Sequence, residues 1–202
     1  MSRIWFRSFF AILTAIAVGV FLYTLVTAVW YSPSGEVASS TLERKAPAAH
    51  ANASSLPSRL IIPALKIDAT VQKVGLKADS SMATPNNFTD VAWYKYGTIP
   101  GQVGSAVIDG HVDNGLSLAG VFKHLIDIKI GDDVYVQEAN GEQLHFVVTD
   151  IQTYPYKGAP DEKIFTQTDA ARLNLITCEG VWVPSGRTYD HRLVVFTKLV
   201  SG

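Results

Sequence analysis

The chain of 202 residues carries one thiol, Cys178, and five imidazoles, His50, His111, His124, His145 and His191. Acyl transfer by cysteine needs a thiolate, a proton carrier for the leaving amine, and donors for the developing oxyanion. Cys178 closes the run Leu173-Asn-Leu-Ile-Thr-Cys178, in which Leu173, Leu175 and Thr177 alternate with Asn174, Ile176 and Cys178. That alternation predicts a strand ending at the thiol, with Glu179-Gly180 leading into a loop. A strand end holds a side chain rigidly yet leaves it partly open, which suits a nucleophile. The competing role for Cys178 is a small buried hydrophobe.

The imidazole best placed for proton transfer is His111, at the end of the apolar strand Gly104-Ser-Ala-Val-Ile-Asp-Gly110 and before the turn Val112-Asp-Asn-Gly115. His50 falls in a linker, His124 on a helix, and His145 inside a hairpin strand, where each reads as a surface or partly satisfied polar residue. Arg192 opens the last apolar strand, and its planar fork of donors suits an oxyanion. An ion pair with Asp190 is its structural alternative, and His191 is its rival. Neighbours on a strand face opposite ways, so only one of the two can face Cys178. Neither a metal nor a cofactor is expected: the histidines lack tight ligand spacing and cysteine does not recur.

Short apolar and β-branched segments supply the frame for these residues. Arg59–Val71, interrupted by Pro63, predicts two short strands or one bent edge strand. Ala78–Asp90 reads as polar loop, and Val91–Tyr96 as a short aromatic strand or turn. Leu118, Val121, Phe122, Leu125 and Ile126 recur at helical spacing and predict a helix over Leu116–Ile126. Gly131–Val136, Asn140-Gly141 and Gln143–Thr149 read as a β-hairpin. Tyr154–Ala171 is a long segment with room for a short helix around Asp169–Arg172, and Val181–Asp190 reads as a loop before the last strand, His191–Val200. Seven or eight short strands with one or two short helices predict a mainly β domain, a closed or nearly closed barrel.

The front of the chain differs. No charged residue occurs from Ser8 to Gly35. Residues 9–31 read as a transmembrane signal anchor, roughly 34 Å long as a helix. Arg3 and Arg7 precede it and no basic residue closely follows, so residues 1–8 are expected in the cytoplasm and the rest outside. A cleaved signal peptide is the rival, but its apolar core would be shorter, about 7 to 15 residues. Residues 32–57, rich in Ser, Ala and Pro, form a flexible linker reaching roughly 28 Å, and residues 58–202 form the globular domain. The formal net charge of -1 argues against nucleic acid as a partner. A lone cysteine in an extracytoplasmic domain points to a reactive thiol rather than a disulfide.

Taken in order, these segments resemble the sortases. Leu175-Ile-Thr-Cys178 resembles their Leu-x-Thr-Cys signature, Gly110-His111 their histidine site, and Arg192 their arginine at the start of an apolar last strand. Arg59–Pro63, Ile67–Val71, Val91–Tyr94 and Pro100-Gly101 follow the same family course, and the run Gly110-His-Val-Asp113 is nearest to class F or a related class D or E type. The resemblance implies an eight-stranded sortase-type β-barrel behind a single transmembrane helix. It implies a cysteine transpeptidase in which Cys178 attacks the Thr–Gly bond of a Leu-Pro-x-Thr-Gly-like sorting signal on a secreted protein. A thioacyl enzyme then passes the protein to an amine, from a cell-wall peptide or a pilin lysine. His111 would move the proton, Arg192 would hold substrate and oxyanion, and Thr177 would support the site. Activity is expected to be slow and bell-shaped in pH. A non-catalytic tethered barrel, or another cysteine acyl enzyme acting on peptidoglycan, are the competing functions.

Overall fold

The computed structural model describes residues 16–23, 55–114 and 118–200. Eight strands close into a barrel: β1 (Pro57–Ile62), β2 (Ile67–Val74), β3 (Val91–Tyr94), β4 (Gly104–Gly110), β5 (Asp133–Glu138), β6 (Gln143–Pro155), β7 (Ala171–Val183) and β8 (Thr188–Leu199). Around the barrel they run β1-β2-β3-β4-β7-β8-β6-β5 and back to β1. All neighbours are antiparallel except β2/β3 and β4/β7.

Alternation along each strand divides two environments. Leu60, Ile62, Ala106, Ile108, Leu173, Leu175, Leu193 and Val195 point inward and fill the barrel with Phe122, Leu125 and Phe146. Each of these side chains larger than alanine contributes about 1.5–3 kcal/mol by leaving water. The odd-numbered residues of β4 and the even-numbered ones of β7 and β8 face outward. There Val107, Val194 and Phe196 pack under Ile164 of the short helix Asp161–Phe165, with Tyr94, Tyr154 and Ile176 at the margin. Asn174 Nδ2 donates to Ile164 O at 2.6 Å and pins this helix to the sheet.

Pro63 separates two strands rather than bending an edge. It begins the 3-10 turn Pro63–Leu65, where its missing N–H costs no ladder bond, and Lys66 turns the chain at φ 54°. Neither strand is an edge, because β1 pairs with β2 and β5, and β2 with β1 and β3. The helix expected over Leu116–Ile126 does not form among the described residues there. Its amides are committed elsewhere: Gly120 N bonds Val112 O and Phe122 N bonds His111 O. The helical spacing of the apolar residues instead serves a wound loop that buries Phe122 and Leu125, ending in the 3-10 turn Leu125–Asp127.

The helix expected near Asp169–Arg172 lies upstream, at Asp161–Phe165, with acidic residues in its first turn. Arg172 already belongs to β7, opposite Ser105 and Lys198. Val181–Asp190 is a hairpin tip rather than a loop, with Trp182 opposite Tyr189 and Val183 opposite Thr188.

Residues 16–23 are helical and exposed, and the remainder of the predicted 9–31 span lies outside the described residues, as do residues 1–8 and most of the 32–57 linker. No helix among the described residues is long and apolar enough to cross a membrane.

Candidate active site

Three adjacent strands carry the three candidate residues into one row. Cys178 on β7 lies directly opposite Arg192 on β8. The β4/β7 ladder runs in parallel to Asp109 opposite Ile176, so two residues further on His111 falls level with Cys178. Neighbouring strands lie about 4.8 Å apart, which sets the spacing of the row. All three side chains belong to the outer face, and all three are half-buried. Thr177 faces the other way. It is buried, and its Oγ1 donates to Gly110 O at 2.8 Å, tying the residue before Cys178 to the residue before His111. His191 is opposite Glu179, one position out of the row, and its Nδ1 pairs with Asp190 Oδ1 at 2.8 Å. Of the two neighbours, Arg192 is the one level with Cys178.

His111 is fixed from two sides. Its ring leans on Phe88, with centroids 4.8 Å apart, and Nε2 lies 3.0 Å from Pro85 O. A carbonyl only accepts, so Nε2 carries the hydrogen, and Nδ1 is left as the nitrogen that gains or loses the mobile proton. Phe122 packs under this corner so closely that a Cβ on Gly110 would collide with its ring. Burial holds the imidazole below its ordinary pKa; the Pro85 bond and the charge of Asp113 oppose that, and Lys77 adds to it.

Burial likewise pushes the Cys178 thiol up. Arg192 is the largest opposing influence, Asp109 and Asp113 raise the thiol further, and Lys77 lowers it. Thiol and imidazole are therefore both neutral near pH 7, and the reactive thiolate–imidazolium pair is a minor species. Unshifted groups would populate it to about 1%; the two shifts move it below that.

Arg192 is spread over its own strand end. One terminal nitrogen donates to Tyr189 O at 3.1 Å and His191 O at 2.8 Å, the other to Thr188 Oγ1 at 2.8 Å. The guanidinium carbon sits 4.3 Å from the centroid of the Tyr156 ring. Of the five N–H groups, the Nε hydrogen and one terminal hydrogen remain for a ligand.

Sequence reasoning missed the groups that surround the row. Tyr189 Oη donates to Asp113 Oδ2, joining the hairpin tip to the loop after His111, and Trp182 packs edge-on against Tyr189 at 5.4 Å. Burial and that hydrogen bond push the Tyr189 hydroxyl up to about 12. Asp109 was also missed, although it is the one charged residue in β4 and shares a face with His111 by simple alternation. Among the described residues no group of His, Cys, Asp and Glu could hold a metal ion.

A sortase domain model matches residues 60–200. The fold is similar to that of sortase A from Corynebacterium diphtheriae in its lid mutant, at a TM-score of 0.57 and 21% identity, over 73% of this chain and 71% of that one. It is also similar to sortase C-1 from Actinomyces oris (TM-score 0.55, 22% identity, 71% and 73% covered). A Clostridium perfringens sortase D5 transpeptidase is a third such structure (TM-score 0.54, 16% identity, 72% and 79% covered). No curated protein matches the chain by sequence.

Proposed function

The chain belongs to the sortase family of cysteine transpeptidases, and on that premise we propose that it is a membrane-anchored sortase acting outside the cytoplasm on proteins with a Leu-Pro-x-Thr-Gly-like signal. The observation that carries the assignment of roles is the single row His111–Cys178–Arg192 across three neighbouring strands. Cys178 Sγ attacks the Thr carbonyl and forms a C–S bond. The oxyanion takes the two free donors of Arg192, in a half-buried setting where charge-assisted hydrogen bonds are strong. As the tetrahedral species collapses, the C–N bond breaks and Nδ1 of His111 gives its proton to the departing glycine amine. A second amine then loses a proton to Nδ1, attacks the thioester and releases the Sγ thiolate. Thr177 touches no reacting atom; it positions the two strand ends.

The acceptor amine is a cell-wall peptide or a pilin lysine. The Gly110-His-Val-Asp113 run supports class F or a related class D or E type, and the arginines before residues 9–31 support an anchor with the domain outside.

The test is a cleavage assay on the full chain in detergent, using fluorogenic Leu-Pro-x-Thr-Gly peptides with and without a glycine amine. Product joined to the added amine, a thioester mass on Cys178, and loss of both in Cys178→Ala are expected. No thioester with any peptide, from a folded chain with a reactive thiol, would overturn the proposed signal.

A further inference from the structure

Asp109 is used by none of these steps, yet it lies beside them. Its side chain faces outward with Val107 and His111. Its row is apolar: Ala92 on β3 is its partner on one side and Ile176 on β7 on the other, with Val194 beyond. Met82, Tyr94 and Tyr154 border the same patch. Within it, Asp109 Oδ2 is buried and has no hydrogen-bond partner. A carboxylate oxygen out of contact with water and without a partner is destabilising, and native folds keep few of them. The basic groups facing it are Lys77, from the loop after β2, and Arg192; neither reaches Oδ2, and Arg192 spends three donors on Tyr189, His191 and Thr188. Burial raises its pKa to about 7, against the pull of Lys77, Arg192 and the Gly110 amide.

The row of Asp109 lies two residues along the strand from the row of Cys178, about 6.6 Å. An extended peptide advances by the same rise, so with its carbonyl at Cys178 it places a residue one or two positions away over Asp109. We propose that Asp109 is a specificity-determining residue of the peptide groove, selecting a sorting signal with a cationic hydrogen-bond donor one or two residues from the attacked bond. Asp109 and Ile176 are both part-exposed, so a lysine or arginine there reaches the carboxylate and supplies the donor it lacks, while its alkyl stem covers Ile176. The inference rests on the transpeptidase reading above and adds to it the chemistry of the preferred signal.

The experiment compares the full chain with Asp109→Asn and Asp109→Leu on peptides carrying lysine, arginine, glutamine or norleucine at the x position before Thr or at the residue after Gly. For the parent chain, kcat/KM is expected to be about tenfold or more higher for lysine than for norleucine at one position, the worth of a charge-assisted hydrogen bond. Asp109→Leu should invert that order, and Asp109→Asn should level lysine with glutamine. The same order should appear in binding to Cys178→Ala, which reads selectivity without turnover. Melting curves at pH 8 check folding, and both variants should melt no lower than the parent, having lost a buried ionisable oxygen. Identical profiles in all three chains would overturn the proposal. So would a uniform loss of kcat at unchanged KM, which would place Asp109 behind Arg192 or Cys178, or an effect confined to the KM of the amine. A missing Cys178 thioester with every peptide would instead count against the transpeptidase reading, leaving the binding order to decide on Asp109.

Discussion

At the scale of single residues, Cys178 and His111 are burdened by the same cause. Both are half-buried, burial disfavours the charged form of each, and so one pKa rises while the other falls. The pH profile of kcat/KM therefore broadens: its acid limb lies below the ordinary histidine value of about 6.5 and its alkaline limb above the ordinary cysteine value of about 8.5. Arg192 is the main influence pulling the thiol back down. Replacing it with methionine removes that charge, and the pH midpoint for alkylation of Cys178 by iodoacetamide should move further upward. A midpoint that stays put would show that the guanidinium does not act on the thiol. The placement of Cys178, His111 and Arg192 at strand ends was legible in the sequence because each sits at a change from apolar strand to turn or charge. The partners of His111 were not, since Pro85 and Phe88 come from a polar loop whose folding back depends on tertiary contacts.

At the scale of elements, the least legible part was the β7–β8 tip. A sequence of glycine, proline and exposed aromatics reads as a loop, but it pairs because a register shift between Glu179 and Trp182 lets the ladder resume. Gly180 makes that shift at φ 88°, a conformation that costs other residues roughly 1–2 kcal/mol. A Cβ there would also collide with Asp190 Oδ1, the acceptor for Val181 N at 2.7 Å. Gly180→Ala should therefore loosen the tip and with it the Tyr189 O and Thr188 Oγ1 contacts that hold Arg192. We expect kcat/KM to fall about tenfold or more, with a loss of about 1–3 kcal/mol in stability. Chemical denaturation and steady-state kinetics on the same preparation measure both. An unchanged kcat/KM at reduced stability would separate the tip from catalysis. The helices misplaced by the sequence fail for a related reason: Leu116–Ile126 has the right period, but the amides of Gly120, Val121 and Phe122 bond to Val112, Phe88 and His111, contacts that no local pattern reveals.

At the scale of the whole molecule, alternating apolar segments made the barrel legible, whereas strand order was not. Of the two parallel pairings, β2/β3 and β4/β7, the second is what carries His111 and Cys178 to the same end of the sheet. Hairpin logic alone would have set β4 against β5. The remaining question of scale is where this barrel faces. Residues 9–31 are uncharged and residues 1–8 contain Arg3 and Arg7; charge on the short leading segment is the feature that fixes orientation across a bilayer. The domain should then lie outside. Cys178 is the only thiol in the chain, so it reports its own side of the membrane. In intact cells expressing the full chain, a membrane-impermeant methanethiosulfonate should label Cys178 and block turnover, and Cys178→Ala should take up no label. Removing residues 1–31 should leave the protein out of the membrane fraction. Labelling that appears only after lysis would put the active site on the cytoplasmic side, and with it would fall any access to secreted proteins or cell-wall amines.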